Sequence, residues 1–375
     1  MKLKLIDLCD IQYGYAFDSA KFTDDEVYIP LVRIRDVKRG FSETYYSGEY
    51  PPEYIIHAGD LLIGMDGEFN IARWKSKDAL LNQRVCKVSA KEGIREEYLR
   101  FALSKELKAI ENRTAFVTVK HLSAKELNKL EMDIPEFFEQ ERISETLVRI
   151  EEIIEKRRTE LQKLDEIIKA RFVELFGDEN NSYGWEIVNV EDVADVQVGV
   201  VIKPAQYYTD SQNGIKTFRS LNVGPMYIKD SDWVYFTEEG NNKNEKSILK
   251  ENDLLIVRSG APGTACVVSK EYEGCNAIDI IIAHPYLDKV NPHYLCAYTN
   301  LSHGKKQIEE GTGGAAQQHF NVGKYNKLKL MLPPMDKQEE FVVFMNQVDK
   351  SKVVVQKALD EAQLLFDSLM QKYFG

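Results

Sequence analysis

The chain has 375 residues, of which 43% are hydrophobic, 10% aromatic and 29% charged, and its formal net charge is −11 at pH 7. This composition is that of an ordinary soluble protein with room for two or three domains. No apolar run is long enough to cross a bilayer, the N-terminal segment lacks the apolar core of a signal peptide, and the five cysteines have no C-x-x-C spacing. We therefore expect a cytoplasmic protein whose thiols are packing residues.

Residues 1–135 are predicted to form a strand-rich domain of mixed structure. Tyr28–Arg35 and Asp60–Met65 are short β-type runs bounded by Gly, Pro and Asp. A helix is expected from Arg95 to Asn112. Residues 178–333 follow the same plan, with predicted strands at Gly214–Leu221 and Asp253–Arg258 and a predicted helix from Pro292 to Glu310.

A long helix is predicted to follow each of these domains, over residues 136–177 and 334–375. In both, apolar residues alternate at spacings of four and three, which is typical of a coiled-coil seam. Charged residues interrupt the seam at Arg157, Arg171 and Lys352. The apolar seam positions are Ile143, Leu147, Ile150, Ile154, Leu161, Leu164, Ile168 and Leu175 in the first helix and Phe341, Met345, Val348, Val355, Leu359, Ala362, Phe366, Leu369 and Tyr373 in the second.

The two halves of the chain repeat one another. Asp60-Leu-Leu-Ile recurs as Asp253-Leu-Leu-Ile at an offset of 193, and Gln140-Glu141 recurs as Gln338-Glu339 at an offset of 198. We therefore predict an α+β fold with two strand-rich domains related by an internal repeat. The two long helices between and after them are expected to form an antiparallel coiled coil, although each helix packing on its own domain is the alternative.

Catalytic motifs are scarce in this sequence. It has no G-x-x-x-x-G-K-[ST] phosphate loop, no Asn-Pro-Pro-Tyr-type element for amino methylation and no H-x-x-x-H pair. Glu106-Leu107-Lys108 has a nuclease-like spacing, but it lies on the first predicted short helix without a convincing acidic partner. We therefore expect a chain without catalytic residues, metal or cofactor of its own.

Three segments carry a recognisable pattern: Gly313-Gly-Ala-Ala-Gln-Gln-His-Phe-Asn-Val with the following Lys329–Glu339, Ile134-Pro-Glu-Phe-Phe-Glu-Gln-Glu-Arg-Ile in the first half, and the Gly59-Asp60-Leu-Leu-Ile strand. With them the chain resembles the DNA specificity subunit of type I restriction-modification systems, and the resemblance covers essentially the whole chain. The first copy departs from the pattern, with Pro135-Glu136 where a second proline is usual and Thr118-Val119-Lys120 where Ala316-Gln317-Gln318 stands later. The contacts of the first domain are correspondingly harder to assign.

The resemblance implies a non-catalytic subunit that recognises a bipartite, asymmetric DNA target. Residues 1–135 and 178–333 would be target-recognition domains that each read one half-site, and residues 136–177 and 334–375 would be spacer helices. Two copies of an adenine-N6 methyltransferase subunit would bind S-adenosylmethionine, and further restriction-translocase subunits would use ATP and Mg²⁺. The alternatives are a coiled-coil scaffold without a nucleic-acid role and a single-chain DNA-modifying enzyme.

Candidate DNA-binding residues are polar or cationic side chains near predicted strand ends and loops, because Arg reads guanine and Asn or Gln reads adenine. Each has the alternative of a solvated surface residue. Residues 1–133 carry 21 basic and 22 acidic side chains, so the first domain has room for a basic face, but a basic partner is expected to supply much of the affinity. The candidates are Arg33, Arg35, Lys38, Arg39, Arg73, Lys120 and His121 in the first domain and Lys216, Arg219, Arg258, Ser259, Gln317, Gln318 and His319 in the second.

Overall fold

The computed structural model describes residues 2–113, 121–312 and 320–375. The chain divides into two compact units, which we call unit 1 (Met1–Thr159 with Gln356–Gly375) and unit 2 (Glu160–Val355). Each long helix therefore contributes residues to both units. Among the described residues, no helix is both long and apolar enough to cross a bilayer.

Among its described residues, unit 1 contains short strands, five α-helices that begin within it, and the end of the last long helix. The helices are α1 (Leu5–Leu8), α2 (Ile34–Arg39), α3 (Glu96–Arg113), α4 (Ala124–Leu127) and α5 (Phe137–Phe176), the last of which continues into unit 2. The strands are β1 (Lys2–Lys4), β2 (Cys9–Tyr13), β3 (Phe22–Thr23), β4 (Ile29–Val32), β5 (Tyr45–Tyr46), β6 (Ile55–Ile56), β7 (Leu61–Gly64), β8 (Ile71–Arg73), β9 (Ala79–Leu81), β10 (Val85–Ala90) and β11 (Glu131–Asp133).

A four-stranded antiparallel sheet in the order β2-β10-β7-β8 forms the centre of unit 1. A five-stranded sheet, β3-β5-β4-β9-β6, lies beside it, and β4 and β9 pair in parallel. The chain passes from one sheet to the other at Gly14, where an added Cβ would lie 2.0 Å from the carbonyl oxygen of Asn82. Glycine is required there because the two backbones approach so closely.

Unit 2 begins within α5 and ends within the last long helix. Its further helices are α6 (Glu238–Lys243), α7 (Pro292–Asn300), α8 (Ser302–Thr312), α9 (Val322–Asn326) and α10 (Met335–Phe374), the last of which continues into unit 1. Its strands are β12 (Glu186–Asn189), β13 (Ala194–Val198), β14 (Tyr208–Thr209), β15 (Ile215–Phe218), β16 (Val223–Gly224), β17 (Tyr227–Ile228), β18 (Val234–Phe236), β19 (Leu254–Val257), β20 (Ala265–Val267), β21 (Asn276–Ala277), β22 (Ile280–Pro285) and β23 (Lys329–Leu332).

The main sheet of unit 2 has the order β13-β22-β19-β20 and is also antiparallel throughout. Gly199 is its close-approach glycine, since an added Cβ would lie 2.3 Å from the carbonyl oxygen of Ala277. A second sheet has the order β14-β18-β15-β21, with β15 and β21 parallel. The strand plan of unit 2 thus follows that of unit 1 around the main sheet.

Apolar residues of the long helices form part of the core of each unit. In unit 1, Ile143 and Leu147 of α5 are buried in a cluster against which Phe366, Leu369 and Tyr373 of α10 also pack. In unit 2, Phe172 packs edge-on against Phe341, with ring centroids 5.1 Å apart. Burial of such aromatic side chains contributes strongly to the free energy of folding.

A buried glutamine joins each long helix to the domain before it. The Gln140 amide donates to the carbonyl of Pro135 (3.0 Å) and accepts from the backbone N–H of Arg95 (2.9 Å). Gln338 makes the same pair of bonds with Pro333 and Asn291, both at 2.8 Å. The repeated Pro-x-x-x-x-Gln spacing therefore fixes the helix start against the first turn of α3 or α7.

Three predicted elements differ from the structure. The strand expected over Gly214–Leu221 ends at Phe218, because the Arg219 N–H donates to the Asn222 side chain and starts a 3-10 turn at Ser220–Asn222. The strand expected over Tyr28–Arg35 ends at Val32, because the Arg33 N–H donates to the Asp36 carboxylate and starts helix α2. The single helix expected from Pro292 to Glu310 is two helices, since Leu301 takes an extended conformation between α7 and α8. The hydrophobic pattern showed none of these three changes, because it continues past Val32, Phe218 and Leu301.

Charged residues at the seam of the long helices form ion pairs. Arg171 of α5 contacts Glu340 of α10 at 2.6 Å, and Lys352 of α10 contacts Asp165 of α5 at 2.6 Å. Arg171 also lies over the ring of Phe344. These two charged residues of the seam in unit 2, Arg171 and Lys352, are thus matched to acidic neighbours on the other helix.

Candidate nucleic-acid interface

The cations of helix α2 lie at one end of the β7–β8 hairpin. Helix α2 lies against the carboxyl end of β7, where an added Cβ on Gly64 would be 3.3 Å from Ile34. Lys38 of α2 reaches the loop that follows β7 and forms an ion pair with Glu68 at 3.2 Å. The helix and this loop therefore present one continuous surface.

The four sequence-predicted cations of the α2 region lie on this surface and are exposed. Arg35 contacts Asp36 and Thr44, and Arg39 contacts Glu43 at 2.9 Å and lies over the ring of Phe41. Lys38 is the most exposed of the three, with 69% of its side-chain surface accessible. Arg33 begins the helix and is also exposed. Glu68 and Glu43 are exposed, so their ion pairs with Lys38 and Arg39 are weak. Asp36, which contacts both Arg35 and Arg39, is buried.

Arg73 lies at the other end of the same hairpin. Residues Leu61 and Arg73 are paired in the β7–β8 register, whereas the α2 surface adjoins Gly64. The Arg73 guanidinium contacts Glu97 at 2.5 Å, Glu96 at 3.0 Å and the carbonyl of Gly59 at 2.6 Å. These contacts hold it beside α3, so the structure does not bring Arg73 together with the other candidates.

A three-residue cluster that the sequence reasoning recognised only in part lies beside the α2 surface. His121, a predicted candidate, has Nδ1 2.5 Å from Asp66, and the Arg84 guanidinium lies 3.0 Å and 3.3 Å from its two ring nitrogens. Arg84 Nε is 3.6 Å from Asp66. Arg84 was missed because it stands in no predicted strand or helix; the only signal was a lone Arg in the turn before Val85.

Unit 2 places an Arg–Asp pair at the corresponding end of its main sheet. Arg258, the first residue after β19, forms an ion pair with Asp279, which stands in the turn before β22. Its Nε also donates to the carbonyl of Phe320 at 3.3 Å, and the Phe320 N–H donates back to the Arg258 carbonyl at 3.1 Å. Only 17% of the Arg258 side chain is exposed, so this predicted contact residue is largely engaged within the unit.

Arg219 is brought to the same end of unit 2. It follows β15, its N–H donates to Asn222 at 2.9 Å as the Arg33 N–H donates to Asp36, and its guanidinium donates to the carbonyl of Asp232. Ser259 follows Arg258 directly and is half-buried. The remaining candidates Lys120, Gln317, Gln318 and His319 lie outside the described residues.

Lys216 is held in an aromatic setting earlier on β15. Its ammonium donates to Asp230 at 2.9 Å and lies 4.9 Å from the ring centroid of Trp233 and 5.4 Å from that of Tyr272. The hydrogen bond to Asp230 raises the pKa of Lys216, and the same bond lowers the pKa of Asp230. Lys216 is thus paired on the surface of the unit, with 38% of its side chain exposed.

The α2 surface of unit 1 offers exposed cations suited to a polyanion, whereas the described candidates of unit 2 are bonded to groups of their own unit. Within the described parts of both units, no group of three His, Cys, Asp or Glu side chains is arranged to hold a metal ion. Burial raises the pKa of the Cys86 thiol and that of the Cys266 thiol to about 12, which keeps both uncharged at neutral pH. The arrangement supports binding of nucleic acid by the strand ends and the loops beside them.

Comparison with known proteins shows to which family this chain belongs. The family model described as the type I restriction modification DNA specificity domain matches residues 1–166 and again residues 183–362. The chain belongs to the type I restriction-modification DNA specificity family. The interpretation of the sequence as a specificity subunit is therefore confirmed, and neither a scaffold without a nucleic-acid role nor a single-chain DNA-modifying enzyme is supported.

Curated members of this specificity family align with nearly the whole chain. The EcoBI specificity subunit of Escherichia coli is 26% identical over 403 aligned positions, covering 100% of this chain and 85% of that protein. The MjaVIII specificity subunit of Methanocaldococcus jannaschii is 19% identical and covers 94% of this chain and 87% of its own length. Because both are named as specificity subunits of restriction enzymes, the prediction of a non-catalytic subunit is confirmed by family membership.

Solved structures share the fold of this specificity family. The crystal structure of a type I restriction-modification S subunit from M. genitalium has a TM-score of 0.61 at 15% identity, covering 100% of this chain and 96% of that chain. A chain from a study of complex assembly and conformational transition of the type I system has a TM-score of 0.55 at 17% identity, with coverage of 100% and 97%. The mixed helix and strand architecture predicted from the sequence is thus confirmed.

Proposed function

We propose that this specificity subunit recognises a bipartite, asymmetric DNA target, with unit 1 contacting one half-site and unit 2 the other. The observation that carries this proposal is the double match of the specificity domain to one chain. The candidate surfaces of the two units differ in residue type at matching places in the fold. Unlike surfaces are suited to unlike half-sites, because base edges are distinguished by the donors and acceptors that meet them.

In this proposal, residues 1–135 and 178–333 are the recognition domains, and residues 136–177 and 334–375 are the spacer helices. We infer that the two halves arose by duplication of one domain-and-helix segment. Support comes from the shared strand order of the two main sheets, the equivalent glycines Gly14 and Gly199, and the equivalent anchors Gln140 and Gln338.

The two spacer helices are proposed to pair as an antiparallel coiled coil. In unit 1 the beginning of α5 packs with the end of α10, and in unit 2 the end of α5 packs with the beginning of α10. The ion pairs Arg171–Glu340 and Lys352–Asp165 support the same alignment. Paired in this way, the helices would set the distance between the two half-sites, as spacing between reading heads does in other DNA-binding proteins.

Partner subunits are proposed to supply the chemistry, since the relatives are named as subunits of restriction enzymes. We expect two copies of an adenine-N6 methyltransferase subunit that bind S-adenosylmethionine. Restriction-translocase subunits would bind ATP and Mg²⁺. The basic partners would also contribute phosphate contacts that a chain of net charge −11 lacks. The cytoplasmic setting stays a prediction.

The proposal is tested by mapping methylated sites on a randomised DNA library. The chain assembled with its methyltransferase subunit and S-adenosylmethionine should yield one motif with two defined halves and a gap of fixed length. The chain alone should methylate nothing. Arg258→Ala should relax one half only, because Arg258 belongs to unit 2 alone. With 17% of its side chain exposed, the loss should lie at the lower end of the about 1–3 kcal/mol expected for a bidentate contact. A motif without two halves, or a change in both halves at once, would contradict the assignment of one unit to each half.

A further inference from the structure

We propose that Arg84 is a specificity-determining residue of unit 1, whose guanidinium reads a guanine in the half-site of this unit. The proposal rests on the proposed function above and deepens it by naming the base-reading side chain. Arg84 was absent from the candidates that the sequence suggested. Its assignment follows from its backbone, its neighbours and a matching pair in unit 2.

The backbone at Arg84 is in the left-handed region, with φ of +71°. That conformation is unfavourable for a residue other than glycine, because the Cβ approaches the following carbonyl oxygen. A turn that needed only this geometry would be better served by glycine. Strained positions that nevertheless carry a large side chain are found preferentially at binding sites. The guanidinium, rather than the turn itself, therefore calls for an explanation.

The neighbours of Arg84 orient it. Asp66 approaches Nε at 3.6 Å, and the His121 ring lies 3.0–3.3 Å from Nη1. Asp66 is in turn held by His121 at 2.5 Å and by the isolated bridge between the two residues. Half of the Arg84 side-chain surface is exposed, and within the described part of the chain Nη2 makes no hydrogen bond. Because each Nη carries two N–H groups, Nη2 and the N–H of Nη1 that does not face His121 remain as a planar pair of donors.

These features favour a base edge over a phosphate. The Asp66 carboxylate cancels much of the charge that would attract a phosphate, yet it fixes the guanidinium plane that bidentate bonding to guanine O6 and N7 requires. Phosphate contacts have better candidates nearby in Lys38 and Arg35, which are exposed and loosely paired. Lys38 reaches Glu68, two residues after Asp66, so these cations flank the same loop.

Unit 2 carries the same kind of pair with its charges exchanged. There the Arg follows the strand (Arg258) and the Asp occupies the turn before the next paired strand (Asp279, φ +50°). In unit 1 the Asp is the second residue after the strand (Asp66) and the Arg occupies the turn (Arg84). Each unit thus sets one oriented guanidinium at this end of the sheet, but from opposite strands. The two units would consequently address different positions within their half-sites.

The test uses the assembled complex and maps methylation on a randomised library. Arg84→Gly suits the left-handed turn and removes the guanidinium, so folding should persist, as checked by thermal denaturation. We expect the preference for guanine at one position of one half-site to fall about 5- to 150-fold. Arg84→Lys should lose it too, because an ammonium keeps the charge but not the bidentate geometry. Arg73→Lys, the same change at the far end of the hairpin, is the matched control.

Asp66→Arg combined with Arg84→Asp keeps an ion pair but moves the guanidinium to the other strand. A purely structural pair would tolerate this exchange with an unchanged motif, whereas a reading Arg would not. The proposal is overturned if Arg84→Gly or Arg84→Lys leaves the motif intact, or if activity falls equally on all sequences, as for a phosphate contact. Should Arg84→Gly not fold, Arg84→Lys decides. A native complex that yields no bipartite motif would instead refute the proposed function.

Discussion

Replacing Gln338 with methionine should destabilise unit 2 while leaving its volume almost unchanged. Gln338 is fully buried, and its amide bonds the Pro333 carbonyl and the Asn291 N–H, both at 2.8 Å. Methionine has nearly the same size but makes neither bond. Both backbone groups would then be buried without a partner, at about 1–3 kcal/mol each. We therefore expect a loss of about 2–6 kcal/mol in the free energy of unfolding of unit 2.

Thermal unfolding and hydrogen exchange measure this loss. For a unit of this size, each 1 kcal/mol corresponds to about 2–4 °C in Tm. Hydrogen-exchange mass spectrometry should show faster exchange of the amides at the start of α7, beginning at Asn291. Gln140→Met is the matched variant for unit 1 and should expose the Arg95 amide at the start of α3 in the same way. Each variant should leave the helix start of the other unit unaffected.

The control is Gln347→Met, an exposed position on the same helix, where a change within about 0.5 kcal/mol is expected. Equal stability of the Gln338→Met and Gln347→Met variants, with unaltered exchange at Asn291, would show that these hydrogen bonds do not secure the helix start. The explanation offered for the repeated Pro-x-x-x-x-Gln spacing would then be wrong.

Three further perturbations test the packing, the electrostatics and the spacer. Phe172→Ala should cost about 3–5 kcal/mol by denaturant unfolding, since its ring contacts Phe176, Tyr294 and Phe341, whereas exposed Val173→Ala should cost little. Burial raises the pKa of Glu97, but Arg100 and Arg73 outweigh burial and hold that pKa below its ordinary value. The stabilisation of the folded unit by these contacts is therefore complete above about pH 4.3 and is lost as the pH falls further. Glu97→Gln should therefore flatten the acid limb of the unfolding curve of unit 1; an unchanged limb, matching exposed Glu92→Gln, would contradict this. One heptad inserted after both Leu161 and Leu359 should widen the gap between half-sites by about three base pairs, because a heptad adds about 10 Å of helix; an unchanged gap with intact methylation would end the spacer model.

Periodic patterns predicted the long elements of this fold well. The long helices and the strands after Asp60 and Asp253 follow from apolar spacing and from Gly and Pro punctuation, which are local signals. The strand ending at Val32 and the helix break at Leu301 were missed because a capping carboxylate and an extended residue decided them. Phe172 and Phe176 were missed as core residues because they lie beside the seam of the long helices and face helix α7 of unit 2.

The candidate site was harder to predict, because cations occur on every surface of this chain. The sequence could not distinguish Arg73, held by two glutamates of α3, from Lys38, held by one exposed glutamate. Arg84 and Asp66 are 18 positions apart and meet only when β7 and β10 pair. Ion pairing across a sheet depends on strand register, and register at this sheet is a property of the whole unit.

The division of the long helices between units has a consequence for the order in which the protein is made. Unit 2 is a single stretch of chain, Glu160–Val355, whereas unit 1 needs Gln356–Gly375 in addition to Met1–Thr159. During translation, unit 2 is synthesised in full before the segment bearing Phe366, Leu369 and Tyr373 emerges. Ile143 and Leu147 therefore lack their α10 neighbours until Gln356–Gly375 has been synthesised. We expect deletion of Gln356–Gly375 to unfold unit 1, most of which is made first, and to spare unit 2, which is made second.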